Sequence, residues 1–396
     1  MAASNDKPIR VAVTYRVCQH WRAHIFAKLN AREDLELAVF HGQSVPGTKC
    51  INGENLQGFE HFEHWTINVP KAKGWVFQPF MFFSLRKYKP DVILAEGGSN
   101  LLTNFPVFLY ARLFGKPVIW WTLGELRGAT FNGPIKKVYR FLVVMQEKMS
   151  SVYLGYSTVA REYFKKMKYP EADSFVAVNC VDTNRVFQNI DERQHEAVEL
   201  RAELGLDEKK VILFVGALTP AKRVDRLIRV FQKIAPKLPD TELVIVGDGV
   251  SASSLKEMSQ ELGIEDRVTF TGAVVLNVSD YYELGSVFVL PGLGGLAISE
   301  AMAHELPVIC TVADGCEVDL VAEGETGFRL FSDVDVEVEE FLEQKLLKCL
   351  SDHSELNRLS ENSKDRIVSV HNVNTYLGSI VDAIKHAYKK SRSRRS

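Results

Sequence analysis

The chain has 396 residues, more than the roughly 250–300 at which single hydrophobic cores give way to separate domains, so two domains are expected. A formal net charge of −2, from 48 basic and 50 acidic side chains, and a hydrophobic content of 46% describe a globular protein without a global attraction to nucleic acid. Six cysteines (Cys18, Cys50, Cys180, Cys310, Cys316 and Cys349) are scattered without C-x-x-C spacing, no secretory leader is recognisable, and no apolar run approaches the roughly twenty residues of a membrane span. These features point to a reducing, cytoplasmic setting with neither a zinc site nor a disulfide framework.

In chain order, Ile9 to Val13 reads as an apolar strand, Trp21 to Leu29 as a helix and Leu35 to Phe40 as a second strand, a βαβ opening. Residues 43 to 75, rich in Gly, Asn, His and aromatics, show no period and read as a long loop or irregular insertion. Alternation resumes with Pro79–Tyr88 (helix), Asp91–Ala95 (strand), Asn104–Leu113 (helix) and Pro117–Thr122 (strand). Within 134–149, Ile135, Val138, Tyr139, Leu142 and Met149 recur at helical spacing, with Phe141 and Val144 widening the apolar side and Lys136, Lys137, Arg140 and Lys148 on other faces. Packing against its own domain is the first expectation for this basic helix, and a peripheral membrane contact the second. Strands at Val152–Ser157 and Ser174–Val178 precede turn chemistry at Asn179-Cys180-Val181-Asp182, which suits a domain boundary.

After a polar linker of helical or looped character (183–210), a second run begins. Its strands are Val211–Val215, Thr241–Val246, Val268–Thr271, Val287–Leu290, Pro307–Cys310 and Gly327–Leu330; its helices are Asp225–Ile234, Ser253–Leu262 and Asp280–Leu284. Short apolar strands alternating with amphipathic helices predict parallel sheets covered on both faces, hence an α/β chain with two Rossmann-like halves. A last helix near Asn374–Tyr388 carries Leu377, Ile380, Val381 and Ile384 on one face and must pack on something. The tail from Lys389 to Ser396 is basic and reads first as a solvated terminus, second as a membrane or nucleic-acid contact.

The chemistry concentrates in Leu290-Pro291-Gly292-Leu293-Gly294-Gly295-Leu296, where a buried-looking strand runs through a glycine-rich turn into a helix. Backbone N–H groups bare of side chains at the positive end of a helix suit phosphate. Glu300 follows one turn later, and a carboxylate accepts hydrogen bonds from sugar hydroxyls, so the pair suggests a nucleotide. Glycine turns also follow strands at Gly216 and at Gly247-Asp248-Gly249, without the G-x-G-x-x-G or G-K-[ST] signatures. Lys222 and Arg223 place two cations at the mouth of the first of these turns, where they could neutralise a diphosphate.

Residues 211–330 resemble the donor domain of retaining nucleotide-sugar glycosyltransferases of GT-B fold, specifically family four (group 1). The resemblance runs through Val215-Gly216-Ala217-Leu218 with Lys222, Val244 to Gly249, Val268 to Gly272, Pro291 to Ala303, Pro307-Val308-Ile309 and Glu325 to Phe328. A looser match covers the first half, through Tyr15-Arg16, Pro90 to Ile93, Gly115 to Ile119, and Asn179 with Val181-Asp182. The resemblance implies two Rossmann-like domains with parallel sheets facing across a cleft: residues 1–182 for the acceptor, 183–372 for the nucleotide-sugar donor, and 373–396 as a helix packing back with a basic tail. It implies that Lys222 contacts the donor diphosphate, that Glu300 holds the ribose, and that amides at Gly294, Gly295 and Leu296 bind phosphate. Gly216, Arg223, Gly247 and Gly272 complete the expected donor set, and Arg16, His20, Glu96 and Glu125 are candidates for contacting sugar or acceptor.

The implied activity is transfer, with retention, of a sugar from a nucleoside-diphosphate sugar to a glycan or lipid-linked glycan in polysaccharide or glycoconjugate synthesis. No cofactor or metal is implied, and no strand end read here carries a D-x-D pair. Three departures stand out: Gly292 occupies the place of the family's first loop Glu, Ala217 that of a common Arg, and Trp121-Thr122-Leu123-Gly124-Glu125 lacks the usual His. Arg223 is the candidate replacement for the missing Arg. The alternatives are a non-catalytic relative that binds nucleotide or glycan as a partner subunit, and a nucleotide-sugar epimerase of the same fold.

Overall fold

The computed structural model describes residues 7–45, 51–69, 75–125, 133–188, 190–274 and 277–393. It divides into two compact units, residues 1–177 together with 374–396, and residues 178–373. The division falls just before the turn at 179–182, and the last helix belongs with the first unit.

The first unit runs β1 (Ile9–Thr14), α1 (His20–Asn30), β2 (Leu35–Gly42), β3 (Glu60–His64), β4 (Ile67–Asn68), β5 (Val76–Phe77), α2 (Met81–Tyr88), β6 (Val92–Glu96) and α3 (Leu101–Phe114). It continues through β7 (Val118–Thr122), α4 (Pro134–Met149), β8 (Val152–Gly155), α5 (Thr158–Lys166) and β9 (Ser174–Val176). Seven strands form a parallel sheet in the order β3-β2-β1-β6-β7-β8-β9, so the order reverses between β1 and β6. The segment expected to be irregular therefore contributes a sheet strand. β3 escapes a periodicity reading because it is an edge strand whose Glu60, His61 and Glu63 are polar and whose His64 alone is fully buried.

The second unit runs α6 (Thr183–Val186), α7 (Ile190–Glu203), β10 (Lys210–Val215), α8 (Val224–Ile234), β11 (Thr241–Val246), α9 (Ala252–Glu261), β12 (Val268–Gly272) and α10 (Val278–Leu284). Then follow β13 (Val287–Leu290), α11 (Leu296–Ala303), β14 (Val308–Cys310), α12 (Glu317–Leu320), β15 (Gly327–Arg329), α13 (Asp335–Ser351) and α14 (His353–Ser369). The polar linker is thus helical, and α7 packs on α10. The six strands are parallel in the order β12-β11-β10-β13-β14-β15, the doubly wound arrangement with its switch point between β10 and β13. Its core joins these strands to α8, whose Val224, Leu227, Ile228, Val230, Phe231 and Ile234 are buried, and to α13 and α14. Those last two helices close the sheet beyond the strand-helix alternation seen in the sequence, α14 with Asp352 capping the N–H groups of Ser354 and Glu355.

α15 (Val373–Ser393) returns the chain to the first unit. Arg22, buried on α1, donates to the Tyr376 hydroxyl and lies over the rings of Trp121, Tyr156 and Tyr376. Lys385 pairs with Asp34 at 2.6 Å, and His386 and Lys390 both meet Asp173. Lys390, read in the sequence as part of a solvated tail, is thereby a structural contact; residues 394–396 lie outside the described residues.

Candidate functional site

In open α/β sheets, ligands sit beyond the carboxyl ends of the strands where the order reverses. In the second unit that place is bounded by the turns after β10 and β13. The first leaves β10 at Gly216 (φ 154°) and reaches Lys222 at the end of a single 3-10 turn, Pro220–Lys222. The second contains Gly292, Gly294 and Gly295 and opens α11 at Leu296, with no side chain capping the helix. The Leu293 N–H donates to the Ala221 carbonyl at 2.8 Å, which fixes one turn on the other.

The Lys222 ammonium lies between them. A Cβ built on Gly294 would stand 2.6 Å from Lys222 Nζ, and one built on Gly216 3.7 Å from it. The sequence-predicted Lys222, Gly216, Gly294, Gly295 and Leu296 are therefore brought together, a cation beside uncapped amides at a helix N-terminus. That arrangement can hold a diphosphate and stabilise charge that develops on it.

Gly292 has a different reason to be glycine. A Cβ there would be 2.6 Å from the Ala221 carbonyl oxygen and 2.7 Å from that of Lys222, so backbone fills the space into which a longer side chain would grow. Gly247 is similarly a close-packing residue: its N–H donates to the Gly272 carbonyl, and the Gly216 backbone lies against its Cα. Gly272 (φ 76°) faces open space. Arg223 does not join Lys222 in the turn. Its guanidinium is bound by Asp225 at 3.1 Å and Asp335 at 2.6 Å, in a network extended by Arg226, Arg229 and Glu339, so the candidate replacement for the missing family Arg is committed to structure.

Glu300 is 8% exposed on α11 and bound by Arg185 of α6 at 2.6 Å, while the neighbouring Ser299 hydroxyl accepts from the Val181 N–H at 3.0 Å. The segment at 181–185 thus holds α11 and orients its carboxylate. Sequence reasoning missed Arg185, although it stands only three residues beyond the Val181-Asp182 match.

Asp314 was also missed. Its N–H donates to the Gly294 carbonyl at 3.1 Å, and its carboxylate occupies the position a Cβ on Gly295 would need. Burial raises the Asp314 carboxyl above its usual range, and Lys222 is one of the groups opposing that shift. Asp314, Cys316 and Glu317 bring ligand-type atoms within 4.8 Å of one another, but the Cys316 and Gly315 N–H groups already donate to the two carboxylates.

The first unit has its own switch point, between β1 and β6. The Arg16 N–H and the Ser99 hydroxyl each donate to Glu96 at 2.6 Å, so two of the four acceptor candidates are adjacent. A cavity of about 170 Å³ there is lined by Arg16, Trp75, Ser99, Leu101, Leu102 and Tyr139. Trp75 and Tyr139 have ring centroids 5.5 Å apart, and aromatic faces beside polar groups suit a sugar ring. His20 lies instead at the exposed start of α1 against Trp21, and Glu125 is paired with Arg140 and Lys166.

Residues 197–366 match the family model for glycosyl transferases group 1. An uncharacterised glycosyltransferase of Haemophilus influenzae is 41% identical over 125 residues, 31% of this chain and 35% of that protein. A GDP-mannose-dependent alpha-(1-6)-phosphatidylinositol monomannoside mannosyltransferase of Mycolicibacterium smegmatis is 31% identical over 158 residues, 37% of this chain and 40% of that protein. The chain therefore spans well under half the length of these curated relatives. Among solved structures, Anabaena HepE in complex with UDP superposes with a TM-score of 0.74 at 17% identity, covering 96% of this chain and 99% of that one. The chain has the fold of the GT-B enzymes along its length and carries the signature of the glycosyl transferases group 1 over residues 197–366.

Proposed function

We propose that the protein is a retaining glycosyltransferase that moves a sugar from a nucleoside-diphosphate sugar to a glycan or lipid-linked glycan acceptor, without a metal cofactor. The observation that carries this reading is the position of Lys222 Nζ between Gly216 and Gly294, beside the uncapped start of α11. In the reaction the bond from the anomeric carbon to the diphosphate oxygen breaks and one to an acceptor hydroxyl oxygen forms. The hydroxyl proton passes to the departing diphosphate, whose charge Lys222 and the α11 amides stabilise. Glu300, oriented by Arg185, accepts hydrogen bonds from the ribose. The cavity beside Arg16 and Glu96 takes the acceptor, on its aromatic wall. The UDP complex of HepE and the GDP-mannose and phosphatidylinositol mannoside named for the mycobacterial relative supply the classes of donor and acceptor to try first.

Titration with UDP, GDP and their sugar conjugates tests the donor half. Saturable binding to one nucleotide class is expected, weakened at least about tenfold by Lys222→Ala and by Glu300→Ala, since a charge-assisted hydrogen bond contributes about 1.5–3 kcal/mol. Equal affinity in the parent and both variants would remove the reading. Binding with neither transfer to any acceptor nor sugar isomerisation would favour a non-catalytic binder, the alternative to which Gly292 points. Isomerised nucleotide sugar formed without acceptor would identify an epimerase.

A further inference from the structure

The helix at 134–149 packs only in part as its sequence pattern predicts. α4 buries Val143, Gln146 and Glu147, the last accepting from the Trp120 indole and the Tyr163 and Tyr169 hydroxyls. Of the apolar residues expected to face the domain, Tyr139 and Leu142 pack on its core, whereas Ile135 (76% exposed), Val138 (57%) and Phe141 (67%) point outward. α3 packs beside α4 and exposes Phe105, Leu109 (54%) and Leu113 (63%), spaced at i, i+4 and i+8 along one stripe. α2, packed on α3, adds Phe83 at 64%. Three adjacent helices thus expose large apolar side chains in quantity beyond the scattered ones of an ordinary soluble surface.

Their charge is one-sided. α2, α3 and α4 carry Arg86, Lys87, Arg112, Lys136, Lys137, Arg140 and Lys148 against one acid, the buried Glu147, in a chain whose overall charge is −2. Outward apolar residues among cations are complementary to an anionic lipid headgroup layer over hydrocarbon. A second copy of the same face would oppose like charges. Among the described residues no helix is long and apolar enough to cross a membrane, so such contact would be peripheral.

We propose that the face formed by α2, α3 and α4 docks the protein on a bilayer surface containing anionic lipid. Tyr139 of α4 and Leu101 and Leu102 of α3 line the cavity beside Arg16, so the docked helices also frame that cavity. Docking through this face requires neither nucleotide binding nor sugar transfer.

Flotation of the full chain with phosphatidylcholine vesicles containing about 30% phosphatidylglycerol tests it. Binding is expected to those vesicles, at least about tenfold stronger than to phosphatidylcholine alone, and weaker as salt screens the charge. Leu109→Ser with Leu113→Ser, and separately Lys87→Glu with Lys137→Glu, are each expected to lower it at least about tenfold while nucleotide affinity stays at the parent's value. The proposal is overturned if the parent ignores anionic vesicles or if both double variants bind them as the parent does. Self-association of the parent in solution that both double variants abolish would assign the face to a second copy and overturn it as well.

Discussion

Gly292 decides how the turns after β10 and β13 meet, because its missing side chain is where the Ala221 and Lys222 carbonyls lie. Adding one methyl group, Gly292→Ala, is expected to push the Pro220–Lys222 turn away and carry the Lys222 ammonium with it. Overpacking against backbone costs about 1–3 kcal/mol, so a stability loss in that range and at least about tenfold weaker nucleotide binding are expected by denaturant melts and calorimetry. Gly378→Ala, where a Cβ meets nothing within 4 Å, serves as the control and should leave binding unchanged. Restoring the family's acid with Gly292→Glu meets the same carbonyls and is not expected to strengthen binding. At this scale the sequence was informative about which residues the turns bring together: Lys222 and the glycines of the second turn were named from their order, and the structure places them side by side. Asp314 could not, because Ala313-Asp314-Gly315 looks like ordinary turn chemistry, and only the fold brings its carboxylate against Gly295. Arg223 failed for a related reason. A basic residue left within a glycine turn and one bound by two carboxylates are identical in sequence.

At the scale of elements, α15 is fastened by charges that respond to acid. The hydrogen bond from Arg32, followed by that from Lys385 of α15, lowers the Asp34 carboxyl to about 2, from an ordinary 3.8. A carboxylate with a depressed folded value contributes stability in full above its unfolded value and loses it as pH falls through the folded one. The Asp34 contribution is therefore present above about pH 4 and lost between about pH 4 and pH 2. Asp34→Asn is expected to be less stable than the parent at pH 5 and to lose less on acidification to pH 2.5, as read by thermal melts at the two values; parallel losses would show that Asp34 is not the titrating fastening. The sequence announced that this helix must pack, but its partners on α1 and at Asp173 are far away in the chain. α4 shows the converse. Its apolar period was plain, yet beside Val143 it buries Gln146 and Glu147, polar residues whose partners come from other elements, the Leu101 carbonyl for Gln146 and Trp120, Tyr163 and Tyr169 for Glu147.

For the molecule as a whole, two parallel sheets were legible because buried strands such as 211–215 and 287–290 are continuous apolar runs, whereas the reversal of strand order in each came only from the fold. Edge strand β3 was not, since one exposed side lets polar residues mask its period. The discontinuous first unit has a measurable consequence. All five tryptophans, Trp21, Trp65, Trp75, Trp120 and Trp121, lie in it, so indole fluorescence reports that unit while far-UV circular dichroism reports both. Chains with more than one core need not unfold in a single step. A nucleoside diphosphate that binds the second unit stabilises it by RT ln(1 + [L]/Kd), about 2.7 kcal/mol at a hundredfold excess over Kd. Saturating nucleotide is therefore expected to raise the dichroism-detected transition and to leave the fluorescence transition in place. Removing residues 374–396 is expected to do the reverse, lowering the fluorescence transition because Trp121 loses Arg22's anchor at Tyr376 while the second unit keeps its core. Coincident shifts of both signals in both experiments would mean that the two units unfold as one.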